Sequence, residues 1–232
     1  MSQKINPTSN KLNTIQINNY ELHKYGRSFK SYIKFISFRN YVFNYINRFC
    51  LRHNLLLGDI GIIEASSKTF IFISISNFRN KTNFKIKKYF SRTISNWSRS
   101  PTLLYFYREI KLGSSSFLLI NYINYLLKNK TNTPKKIVQF VYDSLKSQSK
   151  VVKVSYTTGG VKLLELKGFK LEISGCFDST RSQMAKKLKC NFGQVPLSQL
   201  KGCINYSAHT FFTKSGSCGF KIWLFYEFKS VK

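Results

Sequence analysis

Two glycine-entered stretches, Lys167-Gly-Phe-Lys-Leu-Glu-Ile-Ser-Gly175 and Gly216-Ser-Cys-Gly-Phe-Lys-Ile-Trp-Leu-Phe225, set the frame for the rest of this chain. In each, apolar residues return at every second position, which is the period of a strand with one buried face. The two read as neighbouring strands of one sheet. Between them the sequence predicts a helix-like segment over Thr180–Cys190, a turn at Gly193-Gln-Val-Pro-Leu197, and a third strand over Ile204–Phe212. The expected order of this part is β-α-β-β.

Charge limits what such a sheet can work against. Lys and Arg number 38 against 9 Asp and Glu, a formal net charge of +29 spread along the chain. A free globule with that excess repels itself, and a polyanion supplies the missing counter-charge. Nucleic acid is the expected partner, bound with an affinity that falls steeply with salt. A membrane partner is not expected, because no apolar run approaches the roughly twenty residues of a spanning helix. The most apolar window, Phe117–Leu127, is interrupted by Asn121 and Asn124. The amino terminus lacks the continuous apolar core of a secretory signal.

Taken in order, residues 1–26 are polar and without period, and read as an extended basic arm. A helix is predicted over Arg27–Asn54 from the spacing of Phe29, Ile33, Ile36, Phe43, Ile46 and Cys50. A hairpin follows, Gly58–Glu64 and Thr69–Ile75. In its second strand Ile71, Ile73 and Ile75 take one face and Phe70 and Phe72 the other, which predicts a sheet covered on both sides. A helix over Asn83–Trp97 and a strand over Thr102–Lys111 come next, then a helix over Phe117–Lys130. Pro134 suits the first turn of a further helix over Lys135–Lys146, with Thr133 as its cap. Lys150–Tyr156 and Val161–Leu166, joined by Thr157-Thr-Gly-Gly160, read as another hairpin.

The residues Gly168-x-Lys170-x-x-Ile173-Ser-Gly175, Gly193-x-Val195-Pro-Leu197, Ile204-x-Tyr206, and Ala208-x-Thr210 leading to Gly216-x-x-Gly219-x-Lys221-x-Trp223-x-Phe225 carry a resemblance. They resemble the carboxy-terminal domain of the small ribosomal subunit protein three family, bacterial and organellar type. The resemblance implies an α+β chain: a basic arm over 1–26, a KH-type (type II-like) domain over 27–134, a connecting helix and inserted hairpin over 135–166, and the ribosomal β-α-β-β domain over 167–232. The G-x-x-G loop of a KH domain should follow the second strand of the first hairpin. Asn77-Phe-Arg-Asn-Lys-Thr82 stands there without glycine, so the single-strand clamp is expected to be lost.

The resemblance also implies partners: small-subunit rRNA, messenger RNA at the entry channel and neighbouring head proteins, with no cofactor and no homo-oligomer. In the family a pair of basic residues and a third one turn later face entering messenger. Lys135 and Lys136 occupy the paired positions and Gln139 the third; the rival reading is a solvated pair at a helix start. Contacts to rRNA are expected from Lys4, Lys11, Arg27, Lys30, Arg181, Lys186, Lys187, Lys189 and Lys221. Cys176 and Gln194 replace basic residues usual in the family, while Trp223 reads as a packing residue. The start Met1-Ser-Gln-Lys-Ile-Asn-Pro7 is similar to the family's own beginning, which speaks against an added transit leader. With a residue choice typical of an A+T-biased gene, it favours an organelle-encoded protein, mitochondrial before plastid.

Catalytic chemistry has little to stand on. Three aspartates and six glutamates show no nuclease or metal pattern, His23, His53 and His209 accompany no nucleophile motif, and no phosphate-cradling loop is present. An enzyme is not expected. Cys50, Cys176, Cys190, Cys203 and Cys218 lack a C-x-x-C pair. Reduced core thiols are the plainer reading and a metal held by three of them with His209 the rival. Two alternatives remain beside the ribosomal reading: a free-standing KH-like RNA-binding or RNA-processing factor, and an intron-encoded nuclease.

Overall fold

Alternation of Ile71, Ile73 and Ile75 with Phe70 and Phe72 builds the first of two sheets. The computed structural model describes residues 6–22, 29–65, 68–77, 84–98, 100–128, 133–148, 152–176, 184–200, 202–213 and 216–229. By packing they fall into a unit over 18–110 and a unit formed by 111–232 with the residues up to Ile17. Both mix helix and sheet.

The 18–110 unit runs β1 (Tyr20–Leu22), α1 (Phe29–Arg52), β2 (Leu55–Glu64), β3 (Thr69–Asn77), α2 (Phe84–Ser98), β4 (Thr102–Arg108). The sheet order is β1-β2-β3-β4. β2 and β3 form the expected antiparallel hairpin, closed where the Ala65 N–H donates to the Lys68 carbonyl at 2.9 Å. β1 lies parallel to β2 and β4 parallel to β3, so α1 and α2 are the crossovers that parallel neighbours require. α1 stops at Asn54, whose φ of 52° is the left-handed conformation asparagine tolerates after a helix. Its buried stripe is Phe35, Val42, Ile46 and Cys50, whereas Ile33 is 64% exposed. The spacing read from the sequence was therefore right at its carboxy-terminal end and rotated at its start. Phe90 of α2 meets Tyr45 and Phe49 of α1 edge-on, at 5.2 and 4.4 Å between ring centres.

Among the described residues no second layer covers the outer face of this unit's sheet. Ile62, Ile71 and Ile73 are fully buried on the inner face. On the other face Phe72 stacks against Tyr105 at 5.4 Å, and Tyr105 and Tyr107 remain 40% and 54% exposed. The phenylalanine parity was legible, but rings shielding one another across strands do the work assigned to a second layer. The loop expected to have lost its glycines lies outside the described residues after Asn77.

In the other unit come α3 (Ser116–Lys128), α4 (Pro134–Ser147), β5 (Val152–Thr157), β6 (Gly160–Gly175), β7 (Lys186–Phe192), β8 (Gly202–Thr213) and β9 (Gly216–Phe228). β6 is the spine. β9 pairs with it from Leu164 to Gly175, β8 follows β9, and the opposite edge of β6 is shared end to end by β5 and β7. Every pairing is antiparallel. The predicted hairpin over 150–166 forms, and its second strand runs on into the strand at 167–175 as one 16-residue strand with a register shift between Leu166 and Gly168.

One expectation fails here. Residues 186–190 were predicted as the end of a helix and form β7 instead, while 177–183 lie outside the described residues. Leu188, Cys190 and Phe192 alternate, half-buried, with exposed Lys187, Lys189 and Asn191, and the Phe192 ring stacks on Phe169 at 5.4 Å. A lysine-rich run with one leucine and one cysteine fits either period, and pairing along β6 decided it. Gly193 then turns the chain at φ 63°, with the Lys167 carbonyl where a Cβ would stand.

α3 and α4 cover one face of this sheet. Phe220, Ile222, Leu224 and Tyr226 of β9 point into it with Leu118, Leu119, Val141 and Leu145, all nearly inaccessible. Tyr142 of α4 meets Phe169 at 5.5 Å. Thr133 takes the extended cap conformation before α4 but makes no side-chain cap bond.

The amino-terminal arm is also corrected. Residues 6–17 are a packed strap, not an extended segment: a 3₁₀ turn over Ser9–Lys11 inserts Lys11, which is 1% exposed. Its Nζ donates to the Gly202 carbonyl at 2.9 Å and lies 5.6 Å from the centre of the Phe225 ring. Gln16 donates to the Ile204 carbonyl at 2.9 Å, and Thr158 donates its hydroxyl to the Thr14 carbonyl at 2.9 Å. Burial pulls the Lys11 pKa below its ordinary 10.5. The unfolded chain therefore binds the extra proton between the lowered value and 10.5, so this residue makes stability rise with pH through that window. The Lys11→Met variant should lack that rise, which urea unfolding of both chains across the same pH range will measure as a difference.

Candidate nucleic-acid interface

The face of the 111–232 sheet turned away from α3 and α4 is set by strand parity. Register aligns three rows across β7, β6, β9 and β8: Lys187–Ser174–Gly219–Thr210, then Lys189–Glu172–Lys221–Ala208, then Asn191–Lys170–Trp223–Tyr206. Neighbouring strands stand about 4.8 Å apart, so the ammonium groups of Lys187, Lys189, Lys170 and Lys221 crowd one surface around a single carboxylate, Glu172. Lys187, Lys189 and Lys221 are exposed and Lys170 half-buried.

Two aromatic rings brace the third row. The Lys170 Nζ lies 4.9 Å from the Trp223 ring centre, and Tyr206 packs on Trp223 at 5.2 Å. Trp223 is 7% exposed and joins Ile204, Phe225, Val195 and Tyr206 in a small cluster. It is a packing residue that holds a cation, as its sequence context implied. Burial raises the Tyr206 pKa and the nearby Glu172 carboxylate adds to the rise, so its hydroxyl stays protonated and neutral. The strap residue Lys11 lies over Phe225, at the end of this face where the rows become apolar. The face is divided: covered and apolar at one end, open and basic at the other.

Of the residues expected to meet RNA, Lys187, Lys189 and Lys221 come together here. Lys186 opens β7 with the opposite parity and is no part of the rows. Lys11 does not join them: it is 1% exposed, with its Nζ held against the Gly202 carbonyl. Lys30 is exposed in the first turn of α1, in the 18–110 unit, while Lys4, Arg27 and Arg181 lie outside the described residues. Lys135 and Lys136 are exposed in the first turn of α4, which carries no acid there, with Gln139 and Phe140 one turn on. Lys170 was missed. It shares the alternation of its strand, but only the register with β9 reveals that it and Lys221 share a face.

Among the described residues no three His, Cys, Asp or Glu side chains lie close enough to hold a metal ion, and no helix is long and apolar enough to cross a membrane. The described cysteines are free thiols, and burial pushes Cys50 up to about 12. Four cations within a few ångströms of a rigid backbone can do one thing well: neutralise closely spaced phosphates.

No family model matches the chain. It is 34% identical over 228 residues to small ribosomal subunit protein uS3m of Chondrus crispus, covering 97% of this chain and 94% of that protein. It is 27% identical over 182 residues to small ribosomal subunit protein uS3c of Euglena longa, 74% of this chain and 77% of the relative. To uS3c of Populus trichocarpa it is 30% identical over 107 residues, 44% of this chain and 46% of the relative.

Proposed function

The chain belongs to the organellar uS3 family of small ribosomal subunit proteins, and on that premise we propose that it binds small-subunit rRNA through the lysine rows of its carboxy-terminal sheet. It is a structural constituent of the subunit, working in translation, and not an enzyme. The observation that carries the rRNA reading is the convergence of Lys170, Lys187, Lys189 and Lys221 on one open face of a chain with net charge +29. The strands fix the spacing of the four stems before RNA arrives, and Lys170 is already braced against the Trp223 ring.

The remaining roles follow from the same premise. The 18–110 unit is a degenerate KH-like module: a hairpin, a crossover helix and a parallel third strand stand in the order such a domain needs. The chain sits in the head of the subunit against neighbouring proteins, and Lys135 and Lys136 face entering messenger from the open first turn of α4. The helix macrodipole disfavours cations at that end, a cost of several tenths of a kcal/mol that phosphate would offset. The compartment is the mitochondrion, supported by a mitochondrial relative aligned over 97% of the chain against 74% for a plastid one.

Gradient sedimentation of an organellar extract at moderate salt tests the assignment. The chain should travel with the small subunit; recovery in the ribosome-free fractions would return the free-standing factor to first place.

A further inference from the structure

The last turn of α3 and the edge of β8 bound a groove of about 350 Å³, walled by Asn124, Leu127 and Lys128 on the helix and by the strand from His209 to Phe212. That is the size of a small-ligand site. β8 pairs with β9 without interruption from Gly202 to Thr213, so its backbone groups point alternately toward β9 and away from it. The carbonyls of Gly202 and Ile204 point away, to Lys11 and Gln16. By the same alternation the N–H and C=O of Thr210 and Phe212 also face away from β9, on the groove side. The side chains supply flat surfaces. The His209 ring stacks on Phe211 at 4.8 Å and 23°, and Phe220 braces Phe211 edge-on at 5.2 Å. Phe212, with the parity of Thr210 and so of the lysine rows, is 88% exposed. A ring left so open forfeits most of the stabilisation its burial would give.

Charge and position say what fills the groove. Neither α3 nor β8 contains an aspartate or a glutamate, and the charged group in the lining is Lys128. Of the acids in the sheet, Glu172 lies one row on and two strands from β8, while Glu165 and Glu227 face each other at the far end. The groove is therefore attractive to an anion. The row that begins at Lys187 ends at Thr210, so RNA whose phosphates rest on Lys187, Lys189 and Lys221 reaches the β8 edge beside these rings. Aromatic faces next to backbone donors and acceptors are what an unstacked base needs, and a paired base inside a helix cannot present its face to them. Resting on the rRNA reading above, we propose that this groove captures one unpaired nucleotide of small-subunit rRNA. Its base lies against the Phe212 and His209 rings, the Asn124 amide and the Thr210–Phe212 backbone face the base edge, and Lys128 takes the phosphate. The lysine rows neutralise phosphates of any sequence; the groove makes the sheet select a flipped-out base over plain duplex.

The test titrates the full chain with small-subunit rRNA across a salt series. Phe212→Ala removes an exposed ring and no charge, so affinity should fall about tenfold, the loss of one base–aromatic stack. The slope of log affinity against log salt should stay that of the unaltered chain, because no counterion release is lost. Phe212→Tyr keeps a ring and should bind as the unaltered chain does. In assembled small subunits carrying Phe212→p-benzoylphenylalanine, irradiation should join position 212 to rRNA at a nucleotide outside any helix. An affinity for Phe212→Ala equal to that for Phe212→Tyr, a changed slope, an adduct to a protein or to messenger, an adduct within duplex, or no adduct would each overturn the proposal. Failure of the rRNA reading is a different result: the unaltered chain would then bind rRNA with an affinity indifferent to salt, whatever stands at position 212.

Discussion

Replacing Lys170, Lys187, Lys189 and Lys221 together by glutamine will weaken binding of the chain to small-subunit rRNA on the order of a thousandfold at 0.1 M salt. Each phosphate contact releases close to one condensed counterion, so removing four should also make the slope of log affinity against log salt shallower by about 3 to 4. Filter binding across a salt series reads both. A large effect is expected because these cations share one face of one sheet, so an RNA strand laid on it would meet all four. Four exposed cations also lie on α1, at Lys30, Lys34, Arg48 and Arg52. Their replacement by glutamine is the comparison that matters. If it costs as much affinity, binding follows net charge and the sheet face holds no privileged place.

Tyr226→Ala should be the most damaging single substitution for the fold of the carboxy-terminal unit, destabilising it by about 4 kcal/mol. The ring is wholly inaccessible, and its hydroxyl donates to the Gly113 carbonyl at 2.7 Å and approaches the Ser114 carbonyl at 3.0 Å. The same ring carries the Lys153 ammonium at 4.1 Å. Alanine leaves a cavity among the α3 and α4 side chains, strips the Gly113 carbonyl of the hydroxyl donor and removes the surface under a cation. Tyr226→Phe keeps the volume and leaves only the Gly113 carbonyl short of the hydroxyl donor, so it should cost about 1–2 kcal/mol. Urea unfolding followed by Trp223 emission separates the two. Equal midpoints for the two variants would mean that the packing contributes nothing beyond the hydrogen bonds.

Much of this molecule could be read from residue order. Strands at 69–75 and 216–225 announce themselves by alternating bulky apolar and polar side chains, and the helices at 116–128 and 134–147 by their period and by Pro134. What the order of residues hides is what depends on a distant partner. Lys11 looks like any other basic residue of a polar arm until Gly202 and Phe225 are placed around it. The run at 186–190 satisfies a helix or a strand until β6 offers it a ladder. Lys170 becomes part of an interface only once β6 and β9 are aligned, because a slip of one residue would have put it with the core. The exposed valines of β5 read as an ordinary half-buried strand, and only the inward turn of Lys153 onto the Ser114 carbonyl and the Tyr226 ring shows that the usual arrangement is inverted.

Lysine reactivity inside the assembled particle tests the central claim most directly. Amine acetylation of intact small subunits, followed by mass spectrometry, should find Lys187, Lys189 and Lys221 protected relative to the same chain stripped of RNA, with Lys170 protected in both states to the extent that Trp223 shields it. Modification of Lys187, Lys189 and Lys221 in the particle as readily as in the stripped chain would contradict the account, since ammonium groups that remain open to reagent are not holding phosphates.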